Sequence, residues 1–349
     1  MNPKSLSSTI VRPVAFLVLV CIIAFTAGSR ARGAGPYRLL KEIPVGGDGG
    51  WDYLSIDSSA RRLYVTHADK VVVIDIAKDE VVGEIADTPG VHGFALAPKL
   101  HRGFSSNGRE AKVSIVDLET LKTVAKVSTG EMPDAILYEP RHSEVYAFNG
   151  RGKSATVFDA SSGKVTTTIP LPGRPEFAAS DPDAGVVYCN IEDKGQVAVI
   201  DTDKHEVINF WPIAPGESCS GMALDQENHR LFIGCGNKMM IMLDSTNGNI
   251  VAQVPIGQGV DANAFDLGTQ LAFSSCGEGN VTVAHEDAPN RLTVVQTLTT
   301  EPRARTMALD PVTHRIYLAS ARFGSASDTN GRPPLLPGTF KILVFGMEK

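Results

Sequence analysis

The chain has 349 residues, with 33 Lys and Arg against 39 Asp and Glu, 33 Gly and 21 Pro; aromatics make up 7% and charged residues 21%. This turn-rich globular composition excludes a disordered chain. A net charge of −6 with no cluster of basic residues argues against nucleic acid as a partner.

At the N-terminus, Lys4 and Arg12 precede an apolar run over residues 14–27, and small residues follow. The pattern predicts a secretory leader over residues 1–33, cleaved somewhere between residues 28 and 35. The run is short for a membrane span and no second run of membrane length follows, so no span is expected after cleavage; an uncleaved anchor is the alternative. Cys21 lies inside the apolar run, after Val20 rather than a small residue, and reads as part of the leader. The chain without residues 1–33 holds 29 basic and 39 acidic residues, a net of −10, and is expected in the periplasm or outside the cell. It keeps Cys189, Cys219, Cys235 and Cys276, none in a CxxC pair of the zinc or thioredoxin type. In an exported chain these permit disulfides.

Next come repeats. A β-rich segment ending in Asp recurs as KVVVID (70–75), KVSIVD (112–117), SATVFD (154–159), QVAVID (196–201) and MIMLD (240–244). The terminal residues Asp75, Asp117, Asp159, Asp201 and Asp244 are 42, 42, 42 and 43 apart, and a sixth copy puts His285 in the Asp position 41 residues on. Each period holds four short apolar segments; in the first they are 53–56, 62–66, 71–76 and 81–85. Turns such as DASSG (159–163) and DSTNG (244–248) suit an Asp that closes onto its own backbone and a Gly at positive φ, so the repeated Asp is read as structural.

Four short strands per period, with no helical periodicity between them, predict an all-β fold: a seven-bladed β-propeller with four antiparallel strands per blade. Six complete blades begin near Asp52, His92, Asp134, Glu176, Ser220 and Asp261. The seventh has only three C-terminal strands, at 305–309, 315–319 and 340–345, and YRLLKEIPVGG (37–47) is expected to supply the fourth. One propeller domain thus spans 37–346, expected to be monomeric.

The second-strand motif LYVTH (63–67), its looser copies VYAFN (145–149) and VYCN (187–190), and the KVVVID and IPVGG elements resemble the YVTN-repeat propellers over nearly the whole region 37–346. The resemblance implies the fold and little about function, since most members lack an assigned activity. Looser relatives include seven-bladed lactonases and propeller subunits of periplasmic redox enzymes, and one fold hosts unrelated chemistries.

The repeat alignment sets Asp52, His92, Asp134, Glu176, Ser220, Asp261 and Arg305 at one equivalent position, where the innermost strands start at the channel mouth. These are the candidate ligand-binding residues. Two readings stand: a water-filled channel lined by solvated groups, and a funnel holding a small polar ligand or a cation. No cofactor is predicted; the oxygen donors leave room for a divalent cation, Ca²⁺ or Mg²⁺ by hardness, with His92 admitting a transition metal. A second ring, His67, Asn107, Asn149, Asn190, Cys235, Cys276 and Ser320, is expected to cap turns. Segment 321–339, with three prolines, leaves from the mouth face and is placed to cover it; a disordered insertion is the alternative. Antiparallel pairing through LDQENHR sets Cys219 opposite Cys235 and predicts a disulfide.

The leading functional expectation is a binding or interaction scaffold for an unidentified protein or small molecule. GxSxG, P-loop and dinucleotide fingerprints are absent from the sequence. The alternatives are a lactonase or hydrolase using Asp52, Asp134, Glu176 or His92 as base with Arg305 at an oxyanion, and a propeller subunit of a redox complex, whose cofactor would belong to the partner because CxxCH is absent.

Overall fold

The computed structural model describes Met1, residues 37–325 and residues 333–347. The expected leader, apart from Met1, lies outside the described residues. Among the described residues no helix is long and apolar enough to cross a membrane.

Seven four-stranded antiparallel sheets form a ring. Six are built from consecutive strands, at residues 51–85, 91–128, 133–170, 175–212, 219–255 and 260–299. The seventh joins Met307–Asp310, Arg315–Ser320 and Lys341–Met347 to the N-terminal strand Tyr37–Pro44. The innermost strand of each blade packs on that of the next, and the seventh packs on the first.

The burial pattern explains why the middle strands read as continuous apolar runs. Each sheet is covered on both faces by neighbouring blades, so Lys70–Asp75 buries four successive residues, whereas the outer strand Glu80–Ile85 buries only the last. Seven apolar clusters result, one at each blade interface. Tyr64 stacks on Phe94 at 5.0 Å between blades one and two, and Phe232 on Phe265 at 4.7 Å between blades five and six. Each fully buried aromatic of this kind contributes about 1.5–3 kcal/mol.

The repeated Asp residues do the work of turns. Asp75 Oδ1 accepts the amides of Ala77 and Lys78, Asp117 those of Glu119 and Thr120, and Asp201 those of Asp203 and Lys204. Asp159 and Asp244 bond Ser162 and Thr246 in the same way. In the DSTNG turn Gly248 has φ +77°, and a Cβ there would lie 2.2 Å from the Trp211 ring, so both conformation and space require glycine.

The closure follows the sequence reading in detail. Tyr37 faces Met347 and Pro44 faces Lys341 in an antiparallel ladder. Tyr37, 1% exposed, anchors this strand: its hydroxyl donates to His314 O at 2.6 Å, and Gln296 on blade six bonds its backbone NH at 3.0 Å and CO at 2.7 Å. The expected second strand 315–319 runs one residue further, to Ser320, and the two strands beside it shift as well. The last innermost strand starts at Met307, not Arg305, because Arg303 at φ +67° gives its amide to Gly277 O and Arg305 N turns back onto Arg303 O, so ladder pairing begins only at Met307 opposite Leu318. The C-terminal strand runs Lys341–Met347 rather than 340–345, because pairing with the N-terminal strand continues to Met347.

Candidate binding site at the channel mouth

Six ring residues, Asp52, His92, Asp134, Glu176, Ser220 and Asp261, are each the second residue of an innermost strand. Each follows a residue paired to the second strand and falls in a register break: between Trp51 and Leu54, Val91 and Phe94, Pro133 and Ile136, Pro175 and Ala178, Cys219 and Met222, and Val260 and Ala262. A bulge re-aims the side chains around it. Arg305 precedes its strand, in the turn described above.

Neighbouring blades pin the backbone here. Ser106 donates to Asp134 O and Ser275 to Arg305 O, while Asn190 Nδ2 donates to Ser220 O at 2.6 Å. All three donors occupy the same register position, the penultimate residue before the second-strand turn. Asn190 therefore does not belong to the second ring: Ile191 faces Pro175, where His67 faces Trp51 and Asn149 faces Pro133. The motif VYCN imitates VYAFN one residue out of register. The rest of that ring is structural in its contacts. His67 stacks on Phe340 at 4.1 Å, burial lowering its pKa; Asn149 Nδ2 bonds Ser154 and Thr156; Cys235 is joined to Cys219 by a disulfide; Cys189 and Cys276 are buried free thiols.

The structure gathers most of the first ring and turns one member away. His92 Nδ1 lies 2.7 Å from Asp52 Oδ2 and 3.6 Å from Asp134 Oδ1. Arg305 Nε sits 3.1 Å from Asp261 Oδ2, and Arg174, in the approach to blade four, stands 3.8 Å from Glu176. Ser220 is 7% exposed and its hydroxyl is spent on Val260 O at 3.0 Å, so it presents no group to the mouth.

The carboxylates feel each other. Burial first, then the charges of Asp52, Glu176 and Asp261, push Asp134 up to about 7 despite His92. Asp261 also reaches about 7, through burial and then the charges of Asp52 and Glu176 against Arg305. Burial raises Glu176, with Asp52 adding. For His92 burial favours the neutral ring, but the Asp52 hydrogen bond and the surrounding carboxylates outweigh it and hold the imidazolium to about 9.

Below the ring two aromatic side chains cross the channel. Tyr53 and Phe177, each following a ring residue, meet with centroids 5.4 Å apart from blades one and four. Burial and the charges of Asp134, Glu176, Asp52 and Asp261 hold the Tyr53 phenol protonated. A small cavity of about 80 Å³ follows further along the innermost strands, walled by Leu54, Phe94, Ile136 and Met307 among others.

Beside the ring lies a cleft of about 750 Å³, missed in the sequence because its walls come from different strand ends. Arg303, Arg305, Trp51, Phe323 and Leu335 line it with four glycines. Phe323 and residues 333–335 form its outer wall: Phe323 bridges to Leu335, Thr339 holds Arg322, and the Arg303 guanidinium lies 4.4 Å from the centre of the Phe323 ring.

Ring, closing strand and polar mouth define a seven-bladed β-propeller with a funnel at one end. The chain is similar to the uncharacterized protein YncE of Salmonella typhi, 28% identical over 163 residues that cover 45% of this chain and 46% of the relative. The YncE protein of Escherichia coli K12 is 29% identical over the same length and shares. The chain matches about half the length of these curated relatives, and no family model matches it.

Proposed function

We propose that this protein is an exported propeller of the YVTN-repeat type that works as a binding scaffold, taking a small polar ligand at the channel mouth. The observation that carries the reading is the convergence of Asp52, His92, Asp134, Asp261 and Arg305 over the Tyr53–Phe177 floor, beside a cleft with two arginines and two aromatic walls. Concave sites with a few converging polar groups on a rigid frame are the usual form of small-molecule sites. The Cys219–Cys235 disulfide supports an oxidising compartment such as the periplasm.

Arg303 and Arg305 select an anionic group, and Trp51 and Phe323 offer flat apolar surface beside it. Thermal shift in metal-free buffer against small carboxylates, phosphates, sugars and lactones tests this. A ligand at 100 times its Kd adds about 2.7 kcal/mol to stability, and Arg303→Ala with Arg305→Ala is expected to abolish the shift. No response to any anionic compound defeats the proposal, and turnover of a lactone replaces it with a hydrolase.

A further inference from the structure

We infer that Asp52, His92 and Asp134 form a site for a first-row divalent transition metal ion at the mouth of the channel. The inference deepens the proposed binding role by naming an occupant for the acidic side of the funnel, opposite in charge to the arginine cleft.

The geometry comes first. One donor atom from each residue lies within 4.8 Å of the other two, and the imidazole nitrogen stands between the carboxylates at 2.7 and 3.6 Å. Donors held about 2.1 Å from a common ion stand roughly 3–3.5 Å apart. Shifts of under about 1 Å therefore seat an ion between His92 Nδ1 and the two carboxylates.

The frame is built for it. The three donors come from three successive blades, each on a bulge, and Ser106 ties down the carbonyl of Asp134. Behind the imidazole stands Gly108: a Cβ there would lie 2.9 Å from both Cδ2 and Nε2 of His92, so the ring occupies space that only glycine leaves. The charges also call for a cation. Asp261 has Arg305, and Arg174 lies between Glu192 and Glu176, while Asp52 and Asp134 share the single imidazole. A divalent ion balances both carboxylates and leaves the imidazole neutral.

One nitrogen and two carboxylate oxygens suit Mn²⁺, Co²⁺, Ni²⁺ or Zn²⁺ better than the all-oxygen cages of Ca²⁺ and Mg²⁺. Three protein ligands leave coordination positions for water or a ligand entering from the mouth.

The test is titration of the EDTA-treated full chain with Zn²⁺, Mn²⁺ and Co²⁺ by calorimetry. One ion per chain is expected, with affinity falling about 100-fold or more in His92→Gln and in Asp52→Asn/Asp134→Asn. Circular dichroism checks that both variants fold. Independently of any variant, pulsed EPR of the wild-type Mn²⁺ complex is expected to show coupling to one imidazole nitrogen. No uptake, uptake undiminished in folded variants, or an EPR signal without nitrogen overturns the site. The anion response that Arg303→Ala with Arg305→Ala removes is measured on the same metal-free protein. If it persists without metal uptake, the metal site alone fails; if neither is seen, the binding role fails as well.

Discussion

Tyr53 and Phe177 stand on the first and fourth blades, nearly opposite each other in the ring, yet their rings meet at 5.4 Å across the channel. That contact turns a ring of polar side chains above an open pore into a cup with an aromatic floor.

The floor is also a brace. Tyr53→Ala and Phe177→Ala are each expected to lower stability by about 1–3 kcal/mol, since both rings are half-buried rather than core. The double variant is expected to lose less than the sum, with a coupling of about 1 kcal/mol between the rings. Urea unfolding of the four proteins measures it.

The closing strand hangs on Tyr37 and Gln296. Tyr37→Phe, which loses only the bond to His314 O, is expected to cost about 1 kcal/mol. Tyr37→Ala empties a buried site against Phe273 and is expected to cost about 3–5 kcal/mol. Hydrogen exchange is expected to show Lys341–Met347 losing protection first in that variant.

Thiol chemistry reports the cysteines directly. Peptide mapping without reductant is expected to recover Cys219 linked to Cys235. Cys189 and Cys276 are buried, and burial pushes the Cys276 thiol to about 12, so neither reacts with a thiol reagent in the native protein and both react in denaturant.

Glu286 makes stability depend on pH. It is 4% exposed and faces Asp225, with Arg230 opposing only in part; burial, then Asp225, raises its carboxyl from 4.5 to about 7. The folded state therefore holds this proton more tightly than the unfolded chain. No cost exists below pH 4.5, and as pH climbs from there through 7 the group removes stability, on the order of 2–3 kcal/mol when complete. Glu286→Gln is expected to flatten that part of the profile and raise Tm at pH 8, read by melting curves between pH 4 and 8.

Gly248→Ala combines a left-handed backbone with a collision against Trp211 and is expected to destabilise by at least about 1–2 kcal/mol, whereas exposed Ser161→Ala in the matching DASSG turn changes little. Chemical denaturation of the two variants compares them.

The ring of blades was legible because the period repeats the same turn chemistry: Asp75, Asp117, Asp159 and Asp201 close the same turn, and their spacing gives the blade count. The mouth positions were legible for the same reason. What the period could not carry were departures from it. Asn190 sits one place from where a motif match puts it, because Ile191 holds the paired position. Ser220 keeps a polar side chain but spends it on Val260 O. The floor has its signal one place along the repeat: the residues after the ring are Tyr53, Gly93, Ala135, Phe177, Gly221, Ala262 and Thr306, five small and two large. Two large groups on opposite sides of a narrow axis must fill it. Arg303 over Phe323 left no such trace, since it joins a turn to a blade-specific insertion.

Tyr37 lies opposite Met347, the place where every other blade has a tight hairpin joining its third strand to its fourth. The cut between the chain ends is thus a choice of covalent order rather than of contacts. A permutant that links Met347 to Tyr37 through a short Gly-containing turn and opens the backbone between Gly46 and Gly50 would hold all seven blades in sequence order. With no strand waiting on a partner some three hundred residues away, every sheet of the permutant is built from local hairpins, and only the packing of the seventh blade on the first remains distant in sequence.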